Sequence, residues 1–315
     1  MNAAPAPAGP WRDVDGIVLL DKPEGLTSNA ALQRVRRAFR ARKAGHTGSL
    51  DPLASGLLPV CLGQATKVCG QLLDADKTYL FRLALGSRTD TGDRAGEVVA
   101  SAPVPALSEE QARAAAAAFI GETAQVPPMY SALKQGGQRL YRLARAGQEV
   151  DRPPRRVRID RLDLRALGSD WLDFEVRCSK GTYVRSLAED LAVALGTVGH
   201  VASLRRTALG PFPGTGMHAL AAIEQAASDE RGLEPMVLPS DAALTALQAV
   251  QLGESQQASL LQGQAVTATG PRAARVRMYG VGGRFLGVGR MSAEGGRLAP
   301  ERIMVEVPAK PGASA

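Results

Sequence analysis

Ala44–Leu62 reads AGHTGSLDPLASGLLPVCL, and two kinds of chain meet within it. Up to Gly56 it is rich in glycine, serine and proline. Gly45, Gly48 and Pro52 break regular structure, so Ala44–Gly56 is expected to be a loop. Leu57–Leu62 is continuously apolar and reads as a buried strand. Asp51 therefore stands in a glycine-rich loop that leads straight into a core strand. A lone Asp before Pro is ordinarily a turn former. Two features favour a chemical role. The strand holds the carboxylate at the mouth of a core, and the neighbouring glycines let a substrate approach the backbone closely.

On the N-terminal side, Gly16–Asp21 (GIVLLD) is a short apolar strand closed by Lys22-Pro23. Ser28 is expected to cap a helix in which Leu32, Val35 and Phe39 share one face. The other faces carry Arg34, Arg36, Arg37, Arg40, Arg42 and Lys43, with no acid among them. Such a run is either a solvated helix face or a surface for RNA phosphates.

On the C-terminal side, Tyr79–Leu85 (YLFRLAL) is a strand that places Tyr79, Phe81, Leu83 and Leu85 on one side. A core tyrosine is the default for Tyr79; at the strand end its ring could instead face a base. Gly86–Gly96 is a polar turn region. Ser108–Ile120 reads as an Ala-rich helix, with Ser108 and Gln111 forming a capping box. Trp171–Cys178 (WLDFEVRC) alternates as a strand does. Tyr183–Leu195 is an amphipathic helix with Tyr183, Leu187, Leu191 and Leu195 on one face. Thr182 is the expected N-cap, which puts Arg185 in the first turn. A cation there opposes the helix dipole at a cost of about 0.3–1 kcal/mol. Either Arg185 is exposed and tolerates that cost, or a carboxylate or phosphate partner offsets it.

Composition narrows the classes. The chain has 315 residues, 45% of them hydrophobic but only 4% aromatic, so aliphatic packing must dominate the core. No run of about 18 apolar residues exists to span a membrane. Cys61, Cys69 and Cys178 are too few and too scattered for metal-ligand spacing, as are His46, His200 and His218, so a zinc site is not expected. The sparse cysteines suit a reducing cytoplasm. The net charge is +7, carried by 31 Arg and seven Lys. Arginine suits bidentate phosphate contacts and stacking on bases, although a general Arg bias gives the same count.

Gln125–Arg158 reads as a basic insertion with few large aliphatics and with Tyr130 and Tyr141 expected at its surface. Lys134–Arg158 carries eight basic residues and two acidic ones, among them Lys134, Arg139 and Arg142. Basic residues interleaved with Tyr fit single-stranded RNA, charge for phosphate and rings for bases; a solvated surface insertion is the alternative. From about Ala242 the texture changes to short strand-like runs, Ala274–Tyr279 and Arg284–Gly289, between Gly-rich turns. A small β-rich domain over 242–307 is expected, joined through a linker at Pro235–Asp241. Residues 1–12 and 308–315 are expected to be disordered tails.

Five segments together carry a resemblance: GIVLLDKPEGLTSN from Gly16, AGHTGSLDPLASGLLPVCLGQATK from Ala44, DKTYLFRLALGSRTDTGD from Asp76, QVPPMYSALKQGGQRLY from Gln125 and CSKGTYVRSLAEDLAVALG from Cys178. In order and spacing they resemble the TruB family of tRNA pseudouridine synthases, from Gly16 to about Pro211. The stretch from about Ala246 to Val307 is similar to a PUA-like RNA-binding domain.

The resemblance implies an α+β fold over 13–240, with a mixed, largely antiparallel central sheet flanked by helices and loops, and an active-site cleft across it. It implies isomerisation of uridine 55 in the tRNA T loop, with no cofactor and no metal, and a possible accessory role in tRNA folding. Asp51 would be the essential carboxylate. Arg185 would pair with it and hold it ionised and aimed, as a nearby guanidinium favours a charged carboxylate. Tyr79 would stack on the flipped uracil and could assist proton transfer. Tyr183 and Leu204 would line the uridine pocket. His46 would fill the place the base vacates or contact its stack. Lys22 and the 125–158 insertion would touch RNA, as would Arg34, Arg37 and Lys43. The tRNA T stem-loop is the implied partner, with no obligate protein partner and no membrane, for a cytoplasmic monomer.

Two rival readings use the same residues. The basic helix, insertion and C-terminal domain would suffice for a non-catalytic RNA-binding or RNA-folding protein. Asp51, Asp90 and Asp93 could instead serve a metal-dependent nuclease.

Overall fold

The computed structural model describes residues 9–305, apart from 132, 136, 149 and 229. A ten-stranded sheet forms the body of the molecule. Its order is His218–Ala219, Gly16–Lys22, Ser55–Leu62, Gly199–Leu209, Lys77–Leu85, Trp171–Cys178, Arg155–Leu167 and Gly121–Gln125, with Ala44–His46 and Phe212–Pro213 pairing to the side. Two junctions are parallel, Gly16–Lys22 with His218–Ala219 and Ser55–Leu62 with Gly199–Leu209; the rest are antiparallel. The sheet is thus mixed and largely antiparallel, as the motifs imply.

The strand sequences differ because the two ends of this sheet are covered differently. Val18, Leu20, Leu58, Val60 and Leu62 face a core shared with the helices Ser28–Ala38, Val184–Ala194 and Leu220–Ala226. Ile17, Leu19, Leu57 and Cys61 face the other way, into a second core with Leu244, Val288 and Met304. Both faces are buried at this end, so GIVLL and GLLPVCL are continuous apolar runs. In Lys77–Leu85 and Trp171–Cys178 one face is buried and the other is open, and apolar residues alternate with polar ones. Phe81 and Phe174 stack across these two strands, ring centroids 5.6 Å apart. Each large aliphatic or aromatic side chain so buried stabilises by about 1.5–3 kcal/mol.

A second sheet of five strands takes Gln248–Gln251, Arg275–Tyr279, Phe285–Met291, Arg297–Ile303 and Val266–Thr267 in that order. It encloses its own core of Val250, Leu260, Val276, Met278, Leu286 and Leu298. The segment expected as a plain linker is packed instead. Leu238 exchanges backbone hydrogen bonds with Ile17, and Asp241 accepts one from the Tyr279 hydroxyl at 2.5 Å. Among the described residues no helix is long and apolar enough to cross a membrane.

Several local expectations change. Ala44–His46 is a short strand rather than loop, antiparallel to Ser55–Leu62. Gly86–Gly96 includes the strand Ser87–Thr89, which pairs with Val98–Ser101. Thr27, not Ser28, caps the first helix, its hydroxyl accepting from the Ala30 amide. Thr182 does not cap the Val184–Ala194 helix; Tyr183 holds that position, and the Thr182 hydroxyl turns back to the Ser179 carbonyl. Ser108 and Gln111 do form the capping box. Trp11 and Arg12, at the end of the expected N-terminal tail, are held: Arg12 bridges to Ala41, and the Arg36 guanidinium lies 4.6 Å above the Trp11 ring. Residues 1–8 of the expected N-terminal tail, all of the expected tail 308–315 and the last two residues of the expected 242–307 domain lie outside the described residues.

Candidate active site

The loop bearing Asp51 is fixed from three sides. Buried Ser28 accepts from the Leu50 amide at 2.7 Å and donates to the Leu50 carbonyl at 2.8 Å, locking the residue before Asp51. The Gly25 amide donates to the Pro52 carbonyl, and the Ala54 amide closes a turn onto the Asp51 carbonyl. Beneath the loop, Arg206 donates from Nη2 to the Gly48 carbonyl at 3.1 Å and from Nε to the Leu57 carbonyl at 2.7 Å. Gly56 is required at the end of the loop. Its φ is +98°, and a Cβ there would stand 2.3 Å from the Arg206 carbonyl oxygen.

Arg185 projects from the first turn of the Val184–Ala194 helix and is 4% exposed. Its Nη2 lies 3.0 Å from the Asp51 carboxylate and donates to the Tyr130 carbonyl at 2.8 Å. Its Nη1 donates to the Thr91 carbonyl at 2.8 Å and stands 3.9 Å from Asp93. Asp93 is buried and anchored by the Thr91 hydroxyl and the Ala95 amide. The cation in the first helical turn is therefore offset by two carboxylates and two carbonyls, which outweigh an unfavourable dipole term of about 1 kcal/mol. The Asp51 side chain keeps 43% exposure and opens into a cavity.

That cavity has a volume of about 320 Å³, within the range of small-ligand sites. Tyr79, Tyr183, Val184 and Leu204 give it apolar walls, and Asp51, Lys77, Arg185 and Arg206 are its charged lining residues. One carboxylate among three cations favours a substrate that brings negative charge, such as a nucleotide within RNA. Burial raises the Tyr79 hydroxyl above its ordinary pKa, against the opposing charge of Arg206. Burial likewise raises Tyr183, partly opposed by the charge of Arg185. Gln125 braces Tyr183, accepting its amide proton at 3.0 Å.

These elements reach one point from separate parts of the chain, and the family match follows the same parts. Residues 36–184 match the TruB family pseudouridylate synthase N-terminal domain. Residues 185–245 match the tRNA pseudouridylate synthase B C-terminal domain, and 249–304 the C-terminal domain of pseudouridine synthase II TruB. The tRNA pseudouridine synthase B of Stutzerimonas stutzeri (strain A1501) is 50% identical over 296 residues, 93% of this chain and 96% of that protein. This chain belongs to the TruB family of pseudouridylate synthases. The TruB-family chain is also 49% identical over 296 residues to the tRNA pseudouridine synthase B of Aromatoleum aromaticum (strain EbN1), covering 94% of each. Among solved structures it is similar to a chain of the "Cbf5-Nop10-Gar1 Complex", with a TM-score of 0.71, 25% identity and coverage of 96% and 91%. It is an isomerase of this family.

Other expected contacts of this TruB-family chain are placed differently. Lys22 is fully buried, its ammonium donating to the Pro23 and Leu26 carbonyls, so it supports the loops behind the cavity and presents nothing to RNA. Burial lowers its pKa to about 8, with Asp51 opposing the shift. His46 is half-buried on its short strand and is not among the cavity-lining residues. Burial first, then Arg206, lowers its pKa.

Arg34 forks onto Glu224 of the Leu220–Ala226 helix at 2.5 and 2.6 Å, which commits it to holding two helices together. Arg37, Lys43 and Arg142 are exposed. Lys134 and Arg139 pair in a short hairpin; their side chains lie outside the described set. Tyr130 is half-buried rather than exposed, its hydroxyl donating to Asp90. Arg82 forks onto Asp173 and Arg205 onto Asp21, so part of the arginine excess is used within the sheet. Asp51 and Asp93 flank one guanidinium, a cation-bridged arrangement unlike carboxylates converging on a metal ion. Among the described residues no cluster of three metal-ligating side chains occurs.

Sequence reasoning did not single out Arg206, Ser28 or Gln125 as parts of the site, and gave Asp93 only a nuclease role. Arg206 did leave a signal: it falls on the inward side of its strand with Leu204, where alternation calls for an apolar residue.

Proposed function

We propose that this chain converts uridine 55 of the tRNA T loop to pseudouridine. The observation that carries the proposal is Asp51: it is the one carboxylate among the cavity's lining residues, and buried Arg185 holds it. Uracil stacked in a folded loop reaches such a cavity only by extrusion, which costs a few kcal/mol. Stacking on Tyr79 and contacts with the cationic rim offset that cost. The N1–C1′ bond then breaks, the uracil turns, and a C5–C1′ bond forms; C5 loses a proton and N1 gains one. Atoms and electrons balance within the substrate. The step that needs a nucleophile or a base falls to Asp51. Tyr183 and Leu204 enclose the ring, and exposed Arg37, Lys43 and Arg142 meet backbone phosphates. Residues 242–307 serve as a PUA-like RNA-binding unit beside a catalytic unit over 13–240. Asp51, Tyr79 and Arg185 all come from one chain, which supports a monomer acting in the cytoplasm, where tRNA is modified.

The test is incubation with unmodified T-loop RNA without added metal, with pseudouridine mapped by position. Conversion is expected at the single T-loop uridine. Asp51→Asn is expected to lose conversion by at least about 1,000-fold while RNA affinity changes little. Wild-type protein that converts no uridine, or an active Asp51→Asn, would overturn the proposal.

A further inference from the structure

Among the described residues the largest fully buried side chain is charged: Arg206, 1% exposed. Salt bridges among the described residues give it no carboxylate partner, unlike Arg185 with Asp51 and Arg82 with Asp173. A guanidinium shut away from water without a counter-charge is costly, several kcal/mol even after relaxation, so its hydrogen bonds have to recover much of that cost. They lead to the reactive groups. Nη2 holds the Gly48 carbonyl, three residues before Asp51, and Nε holds the Leu57 carbonyl, where the loop has become strand. The loop that presents Asp51 is thus pinned at both ends by one rigid fork.

Tyr79 lies directly opposite Arg206 across the antiparallel pair Lys77–Leu85 and Gly199–Leu209, so the strand that carries Tyr79 is paired to the strand that carries the guanidinium. Both side chains line the same cavity as Asp51.

We propose that Arg206 is a positioning residue that sets the distance between Asp51 and Tyr79 by binding the carriers of both. The proposal rests on the pseudouridine synthase reading of the cavity. A planar guanidinium can bridge two carbonyls at fixed angles; a lysine ammonium is a single point on a flexible stem. Charge alone therefore does not replace Arg206. Misplacing a reacting group by about 1 Å costs on the order of 100-fold in rate.

The experiment compares Arg206→Lys and Arg206→Gln with wild type in single-turnover conversion of T-loop RNA, with RNA affinity measured separately and folding checked by thermal melting. Both variants are expected to slow the chemical step by about 100-fold, with dissociation constants within about threefold of wild type. A folded Arg206→Lys with the wild-type single-turnover rate overturns the proposal. So does a rate loss matched by an equal loss of RNA affinity. If Arg206→Gln does not fold, the Lys variant decides the matter. An inactive wild type or an active Asp51→Asn sinks the functional reading instead, so the two failures are distinguishable.

Discussion

Replacing Arg185 tests the site through stability and rate together. The guanidinium, itself buried, makes two hydrogen bonds to backbone carbonyls, Thr91 and Tyr130, both at 2.8 Å. Losing each leaves a buried acceptor unsatisfied, at about 1–3 kcal/mol. The Asp93 carboxylate loses its cation neighbour but keeps the Thr91 hydroxyl and the Ala95 amide. Asp51 contributes little to this sum, because a side chain 43% exposed is screened by water. Arg185→Met is therefore expected to cost about 3–5 kcal/mol, the range for breaking a buried pair. At about 2–4 °C per kcal/mol, the melting temperature falls by on the order of 10 °C.

Arg185→Lys keeps the charge but cannot reach both carbonyls and Asp51 at once. About half the stability loss is expected to return. The single-turnover rate should still fall about 100-fold, since Asp51 is no longer aimed. Thermal melting, RNA-binding titration and single-turnover conversion on the same preparations separate these effects. A Lys variant that melts within about 1 °C of wild type and converts RNA within about twofold of the wild-type rate would refute the positioning argument.

Lys22 gives a pH-dependent prediction. Its native pKa is lowered to about 8 by burial, against an ordinary value of 10.5. Between those values the unfolded chain holds a proton that the native chain has released, so this group's contribution to stability rises with pH across that window. Below pH 8 the cost of the buried ammonium is present in full, at about 3 kcal/mol. The stability of wild type relative to Lys22→Met should therefore climb between pH 8 and 10, as read from denaturant melts; a flat difference would refute the assignment. The basic helix separates in a salt titration: Arg37→Ala should lower the salt slope of RNA binding by about 1. Glu224→Gln should lower the melting temperature through Arg34 and leave that slope unchanged. An unchanged slope in Arg37→Ala would remove that face from the RNA surface.

The sequence by itself determined the strands and their faces. Alternation in YLFRLAL and WLDFEVRC reports a sheet open on one side, and the unbroken apolar run Leu57–Leu62 reports a strand buried on both. It also placed Asp51 at the mouth of a core strand and Arg185 in the first turn of a helix, where an exposed cation and a paired one both remained open. Tertiary structure decided which partners those were. Lys22 and Arg34 were expected at the RNA and Arg206 was not singled out, because burying a charge is expensive unless distant groups compensate it. Those groups are the Pro23 and Leu26 carbonyls, Glu224, and the Gly48 and Leu57 carbonyls. Ser28 read as a cap because Ser is a good cap; only the fold brings Leu50, 22 residues away, against its hydroxyl. Periodicity records the direction in which a side chain leaves the backbone, and it carries no record of what a remote segment places there.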